Sequence, residues 1–150
     1  MRPTTLSSTT AAQEAWSAMR GLAMAQRGRI LGVAADLGLS APQLFALLAL
    51  PPGEPVPMGD LAGVLRCDAS NVTGLIDRLE ARALVERRPA PHDRRVRHLV
   101  LTEAGAALRA QVTGRLDEAP PGFATLTTAE AEQLRDLLLK VVAGTSPPPA

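Results

Sequence analysis

Residues 66–101, RCDASNVTGLIDRLEARALVERRPAPHDRRVRHLVL, constrain the fold more than any other part of the chain. Val72, Leu75, Ile76 and Leu79 recur at i, i+3, i+4 and i+7, the spacing of one buried helical face. Asp68 stands where such a helix takes its N-cap. Beyond it, residues 84–88 (LVERR) and 96–101 (VRHLVL) are short stretches rich in Leu and Val and read as strands. PAPHDRR separates the two, so they form a hairpin with a long exposed tip. Residues 58–65, with Leu61, Val64 and Leu65, read as a helix that a turn at Arg66 and Cys67 joins to the first.

The flanks are helical by the same test. Residues 11–37 hold no proline, and Trp16, Met19, Ala23, Ile30, Val33 and Leu37 form one apolar stripe that Gln26 interrupts. Ser40 caps a short second helix, with Pro42 in its first turn and Leu44, Phe45, Leu47 and Leu48 facing inward. PPGEPVP, residues 51–57, is too proline-dense for a helix and is expected to be a stiff surface loop. Thr102 opens a fifth helix that Pro120, Pro121 and Gly122 break. Thr127 or Thr128, with Glu130, caps a sixth that carries Leu134, Leu137, Leu138, Val141 and Val142. The expected fold is mainly α with a small β-hairpin wing, in the order ααααββαα. Residues 1–10 and 146–150 are expected to be disordered.

Aromatic residues make up 2% of the chain, so the core must be built from Leu, Val, Ala and Ile, which suits interlocking helices. Cys67 is the only cysteine, which excludes an internal disulfide and fits a reducing compartment. It is expected to complete the core as a small hydrophobe, the alternative being a redox sensor. No apolar run approaches the roughly 20 residues that span a bilayer, and the N-terminus lacks a signal-peptide stretch. A cytoplasmic protein with no membrane partner is expected. Cys67, His92 and His98 match no zinc spacing, so no metal is expected. HExxH, a glycine-rich phosphate loop and a nucleophile elbow are all missing from the sequence, so neither enzyme activity nor a cofactor is expected.

Net charge is only +1, yet Arg66, Arg78, Arg82, Arg87, Arg88, Arg94, Arg95 and Arg97 supply half of the 16 Lys and Arg within residues 66–101. A local basic face of this kind points to double-stranded DNA as partner. Opposite the apolar stripe, the helix presents Ser70, Asn71, Thr73, Gly74, Asp77 and Arg78, of which Ser, Asn, Thr and Arg can reach phosphates or base edges. At the hairpin tip, Arg94 and Arg95 can enter a minor groove, and Asp93 can orient a neighbouring arginine by a charge-assisted hydrogen bond. Arg88 completes the basic set. The alternative is a winged-helix protein–protein interaction module that binds no DNA.

Residues 58–105, MGDLAGVLRCDASNVTGLIDRLEARALVERRPAPHDRRVRHLVLTEAG, resemble the MarR family of transcriptional regulators. The resemblance is carried by Asn71–Val72–Thr73, Asp77–Arg78–Leu79–Glu80, Leu84–Val85–Glu86–Arg87, Asp93–Arg94–Arg95 and Leu101–Thr102–Glu103–Ala104–Gly105 together. It implies a homodimeric winged helix-turn-helix regulator, a repressor, astride a pseudo-palindromic operator. In that reading residues 11–40 and 102–145 are dimerisation helices, and residues 41–101 are the DNA-binding domain. It also implies an effector pocket for a small aromatic or phenolic ligand, with Trp16, Met24, Arg27 and Phe45 as candidate lining. Two positions depart from the family pattern: Ala83, where glycine is common at a left-handed helix exit, and Gly74, where many relatives carry a base. Alanine at positive φ costs about 1 kcal/mol, so a different helix exit is expected. Gly74 shifts the groove contact toward Arg78 and the wing.

Overall fold

Helix α1, Thr5–Asp36, begins the computed structural model, which describes residues 5–93 and 95–145. Residues 5–10 are therefore helical, against the expectation of disorder. No glycine or proline falls between Thr5 and Thr10, so nothing stops the hydrogen-bond ladder from continuing through weak helix formers. The tail at 146–150 lies outside the described residues. The later elements are α2 (Ala41–Ala49), β1 (Val56–Pro57), α3 (Met58–Leu65), α4 (Ala69–Ala81), β2 (Val85–Pro89), β3 (Arg97–Leu101), α5 (Glu103–Asp117) and α6 (Thr128–Thr145). No single helix among the described residues is long and apolar enough to cross a membrane.

Local chemistry accounts for the helix ends. Ser40 accepts from the Gln43 amide at 3.4 Å, and the Gln43 side chain accepts from the Ser40 amide at 2.8 Å, which closes a capping box with Pro42 in the first turn. At the end of α1 the turn closes through Gly38, at φ +65°, with Leu39 donating to Ala34 at 2.8 Å. Of the two candidate caps on α6, Thr127 is the one used: its hydroxyl accepts from the Glu130 amide at 3.3 Å. Its own amide and hydroxyl both donate to the Glu130 carboxylate at 2.8 Å. Between α5 and α6, Pro121–Thr125 forms a 3₁₀ turn where only a break was expected.

The core is aliphatic, as the composition requires. Leu44, Leu47 and Leu50 follow from α2, Leu61 from α3, and Val72, Ile76 and Leu79 from α4; all are fully buried. Val85, Leu99 and Val112 close it from the sheet and α5. Only the last turns of the α1 stripe join this core, at Val33 and Ala34 with Ile30 and Leu37 partly covered. Trp16 and Met24, nearer its start, stand 58% and 63% exposed.

The hairpin is antiparallel, with Val85 opposite Leu101, Arg87 opposite Leu99 and Pro89 opposite Arg97. A third strand, β1, pairs Val56 with Leu99 and Pro57 with His98, so the sheet order is β1-β3-β2. PPGEPVP is thus a loop that ends in a strand. Proline is tolerated there because β1 is an edge strand of two residues.

By internal packing the chain forms two units, one running to Leu116 and the other from Asp117. Within the first, α5 is tied to the helices before it. Arg115 donates to Asp36 at 3.0 Å, Arg29 donates to the Arg115 carbonyl at 2.6 Å, and Arg109 donates to the Leu48 carbonyl at 3.2 Å.

Candidate nucleic-acid interface

Helix α3 ends on Arg66, held in the left-handed region at φ 49°, and the Cys67 amide donates back to the Ala62 carbonyl at 3.2 Å. Asp68 then takes the extended N-cap conformation of α4, although its side chain makes no capping bond. The buried stripe of α4 is the expected one, Val72, Leu75, Ile76 and Leu79. It leaves Ser70, Asn71, Thr73, Asp77 and Arg78 exposed on the other side.

The helix leaves through Ala83, also left-handed at φ 55°, so the exit is kept despite the missing glycine. Its bonds are those of a Schellman motif: Ala83 N–H donates to Glu80 at 2.8 Å and Leu84 N–H to Leu79 at 3.0 Å. Thr102 reinforces the exit. Its hydroxyl donates to the Ala83 carbonyl at 2.6 Å, and its amide donates to the Leu84 carbonyl at 3.1 Å. Gly105 donates to the Thr102 hydroxyl at 3.0 Å and lies against the Leu84 carbonyl, where a Cβ would sit 1.9 Å from that oxygen.

At the wing, Ala90 N–H donates to the Val96 carbonyl at 2.9 Å, which closes the tip. Asp93 does not hold a described arginine side chain. Its Oδ1 accepts from the Arg95 backbone amide at 2.9 Å, and its carbonyl accepts from Val96 at 3.0 Å. Aspartate favours this local turn because its short side chain reaches the amide two residues on. Arg95 is exposed. Arg94 lies outside the described residues.

The remaining arginines divide sharply. Arg87 donates to Asp77 at 2.6 Å, to the Thr73 carbonyl at 3.5 Å, and through Nη1 to Glu80. Its amide adds a bond to Glu80 at 3.3 Å. Burial alone would lower the Arg87 pKa, but the bond to Asp77 and the charges of Glu80 and Asp77 outweigh it and hold the guanidinium above its ordinary value. Arg88 pairs with Glu86 on its own strand. Arg82 donates to the Gly38 carbonyl at 2.7 Å and the Leu37 carbonyl at 3.4 Å, joining the end of α4 to the end of α1. Arg66, Arg78, Arg95 and Arg97 are exposed and make no ion pair among the described residues. Asp77 and Arg88, counted among the contacts expected from the sequence, are thus engaged within the protein. Arg66 and Arg97 belong to the basic segment but were not singled out as contacts, since position in the sequence does not tell a paired arginine from an open one.

Cys67 is exposed, not buried as expected, and its thiol donates to the Leu65 carbonyl at 3.3 Å. The left-handed turn at Arg66 swings it out to the rim of a groove of about 540 Å³. Phe45, Leu48, Val64, Leu65 and Leu75 line that groove with Ala41, Pro42 and Ala49. Trp16, Met24 and Arg27 do not line it, so of the four expected effector residues only Phe45 is there.

The model of the MarR family matches residues 39–96, which run from the end of the α1 turn through the wing. The repressor NicR of Pseudomonas putida is 39% identical over 75 residues, covering 50% of this chain and 48% of NicR. The repressor MprA of Escherichia coli is 30% identical over 114 residues, 70% of this chain and 61% of MprA. Residues 39–96 are a MarR-family segment. The chain spans less than two thirds of the length of either curated relative. The YusO protein from Bacillus subtilis superposes on 93% of this chain and 99% of its own, at a TM-score of 0.71 and 26% identity.

Proposed function

We propose that this chain is a sequence-specific DNA-binding regulator of the MarR family, acting as a repressor and as a homodimer on a pseudo-palindromic operator. The observation that carries the reading is the surface of α4 together with the wing. Ser70, Asn71, Thr73 and Arg78 are exposed on one element, and Arg95 is exposed on the other. Arg78 and Arg95 keep their charges for an outside partner, whereas the exposed acids nearby are taken up by Arg87 and by the turn at the tip. That NicR and MprA are named as repressors supports the same reading. Asn71 and Arg78 suit base edges in the major groove, and Arg95 with Arg94 suits the phosphates and the minor groove.

The dimer is proposed from uncovered apolar surface. Trp16, Leu22, Met24 and Leu31 on α1, and Leu137, Leu139, Val141 and Val142 on α6, are exposed in the single chain. Residues 11–40 and 102–145 are the proposed dimerisation segments, and 41–101 the DNA-binding domain. A cytoplasmic location follows from the DNA partner. The Phe45 groove is the proposed effector site. Its lining is apolar and holds no charged residue, which suits the ring of a small aromatic ligand.

Selection of bound sites from random duplex DNA tests the reading. The expected product is a palindrome with half-sites about one helical turn apart. Inserting about five base pairs between the half-sites should abolish tight binding, because one α4 would then meet the wrong side of the duplex. Arg95→Ala should weaken specific and scrambled duplexes alike and lower the slope of log K against log salt by about 0.9. Recovery of no duplex would favour the protein–protein module instead.

A further inference from the structure

We infer that Arg87 is a positioning residue: it offsets one of the two negative charges that Asp77 and Glu80 place on α4 and ties the wing to that helix, and does not itself contact DNA. The inference rests on the DNA-binding reading above. At about 3.6 residues per turn, Thr73, Asp77 and Glu80 share one flank of α4, while Asn71 and Arg78 lie on the other. The first flank meets β2, where Arg87 points back at it. The Arg87 side chain is only 21% exposed, against 58% for Asp77 and 40% for Glu80.

Both terminal nitrogens of the guanidinium are committed. Nη1 serves Glu80, and Nη2 serves Asp77 and the Thr73 carbonyl. The Arg87 backbone amide holds the other oxygen of Glu80. No donor geometry of this kind is open to a lysine, whose single ammonium cannot reach two carboxylates in a fixed fork. Without Arg87, the flank would present two uncompensated negative charges beside the residues that meet the duplex. Like charges juxtaposed across an interface oppose binding, and DNA phosphates are the partner here. With Arg87 in place the three side chains sum to a single negative charge, spread over a network. Arg87 belongs to β2, so the same bonds set where the wing stands relative to α4. Its charge is used inside the protein, and its contribution to affinity is indirect.

The full-length protein would be titrated with a labelled duplex carrying the selected palindrome and with a scrambled one, at several salt concentrations, with thermal unfolding of every variant alongside. Arg87→Ala should weaken binding on the order of tenfold. Arg87→Lys should recover only part of that loss. The triple variant Arg87→Ala/Asp77→Asn/Glu80→Gln, which removes the exposed acids but does not restore the tie to the wing, should bind several-fold more tightly than Arg87→Ala and keep the wild-type salt slope. Asp77→Asn/Glu80→Gln, which retains Arg87, should bind a scrambled duplex more tightly than the wild type does, so the proposal stays open to refutation even if Arg87→Ala does not fold. A triple variant as weak as Arg87→Ala would mean that the charge of the two acids does not matter, and a slope lowered by about 0.9 would mean that Arg87 touches phosphate; either would overturn the inference. Weaker binding of the scrambled duplex by Asp77→Asn/Glu80→Gln would overturn it too, by making the acids contacts in their own right. A wild-type protein that binds no duplex would instead overturn the DNA-binding reading, and the neutralising role with it.

Discussion

Replacing Gly105 by alanine sets helix propensity against packing, and the two disagree in sign. On propensity alone, Gly→Ala inside a helix is worth about 1 kcal/mol of added stability. In α5 the new Cβ would lie 1.9 Å from the Leu84 oxygen, 2.9 Å from its carbonyl carbon and 3.2 Å from a Leu101 methyl. Ordinary C···O contact is about 3.3 Å or more, so the two backbones must part by over an ångström. Leu84 cannot yield easily: its amide is bonded to Leu79 at 3.0 Å and its carbonyl to Thr102 at 3.1 Å. If α5 yields instead, the bonds from Gly105 to Thr102 and from Thr102 to Ala83 are broken. Two bonds at about 1 kcal/mol each, with about 1–3 kcal/mol of overpacking, exceed the propensity gain by roughly 2–4 kcal/mol. At about 4 °C per kcal/mol for a chain of this size, Tm should fall on the order of 10 °C, read by circular dichroism at fixed protein concentration. Gly74→Ala is the control, because nothing lies within 4 Å of a Cβ there and propensity acts alone. An unchanged or higher Tm for Gly105→Ala would refute the close-approach argument.

Ala83→Gly should raise Tm by a few degrees, since it relieves about 1 kcal/mol of left-handed strain at φ 55° without touching a side-chain contact; a fall would mean that the Ala83 methyl is needed for packing. Arg82→Ala removes the bonds to Gly38 and Leu37 and should lower stability by about 1 kcal/mol, an exposed and therefore modest effect. Amide exchange should then quicken at Leu37 and Leu39 before it does in the sheet, and uniform quickening would argue against a local strut. Glu130 is held below the ordinary glutamate pKa by its hydrogen bonds to the Thr127 amide and hydroxyl. A depressed carboxylate stabilises the α6 cap above the unfolded pKa and loses that effect as pH falls through the folded one. Carboxyl titration by NMR should show the low midpoint, and Thr127→Ala should move it back up.

What could be read from the residues alone was whatever the chain decides locally. The stripe Val72, Leu75, Ile76, Leu79 faces the core because four apolar positions at helical spacing leave α4 one way to lie. The capping box at Ser40 and Gln43 spans three residues and needs nothing from elsewhere. By contrast β1 was hidden, because two residues carry no period and their pairing depends on Leu99 and His98 far along the chain. Cys67 was misplaced for a subtler reason: its neighbour Arg66 is left-handed, and no glycine advertises that turn. Asp93 followed by arginines suits either a side-chain ion pair or a local turn, and the backbone of the tip selects the turn.

The arginines bear most directly on function. Their number gave a basic segment, but each guanidinium has a nearest acid or carbonyl that only the fold assigns. Once β2 is registered against α4, Arg87 meets Asp77 and Glu80, and once α1 ends at Gly38, Arg82 meets its carbonyl. Those pairings engage the arginines unevenly: Arg87 and Arg88 are offset by acids, and Arg82 keeps its charge but is tied to backbone carbonyls. They leave charge open at Arg66, Arg78, Arg95 and Arg97, on the turn before α4, on α4 itself, and on the wing. The internal pairs therefore do two jobs. They fix the relative placement of helix and wing, and within residues 66–101 they leave those four arginines open to an outside partner. A chain with the same arginines and no Asp77 or Glu80 would be more basic on this face and less firmly shaped, and so would bind DNA with less regard to its sequence.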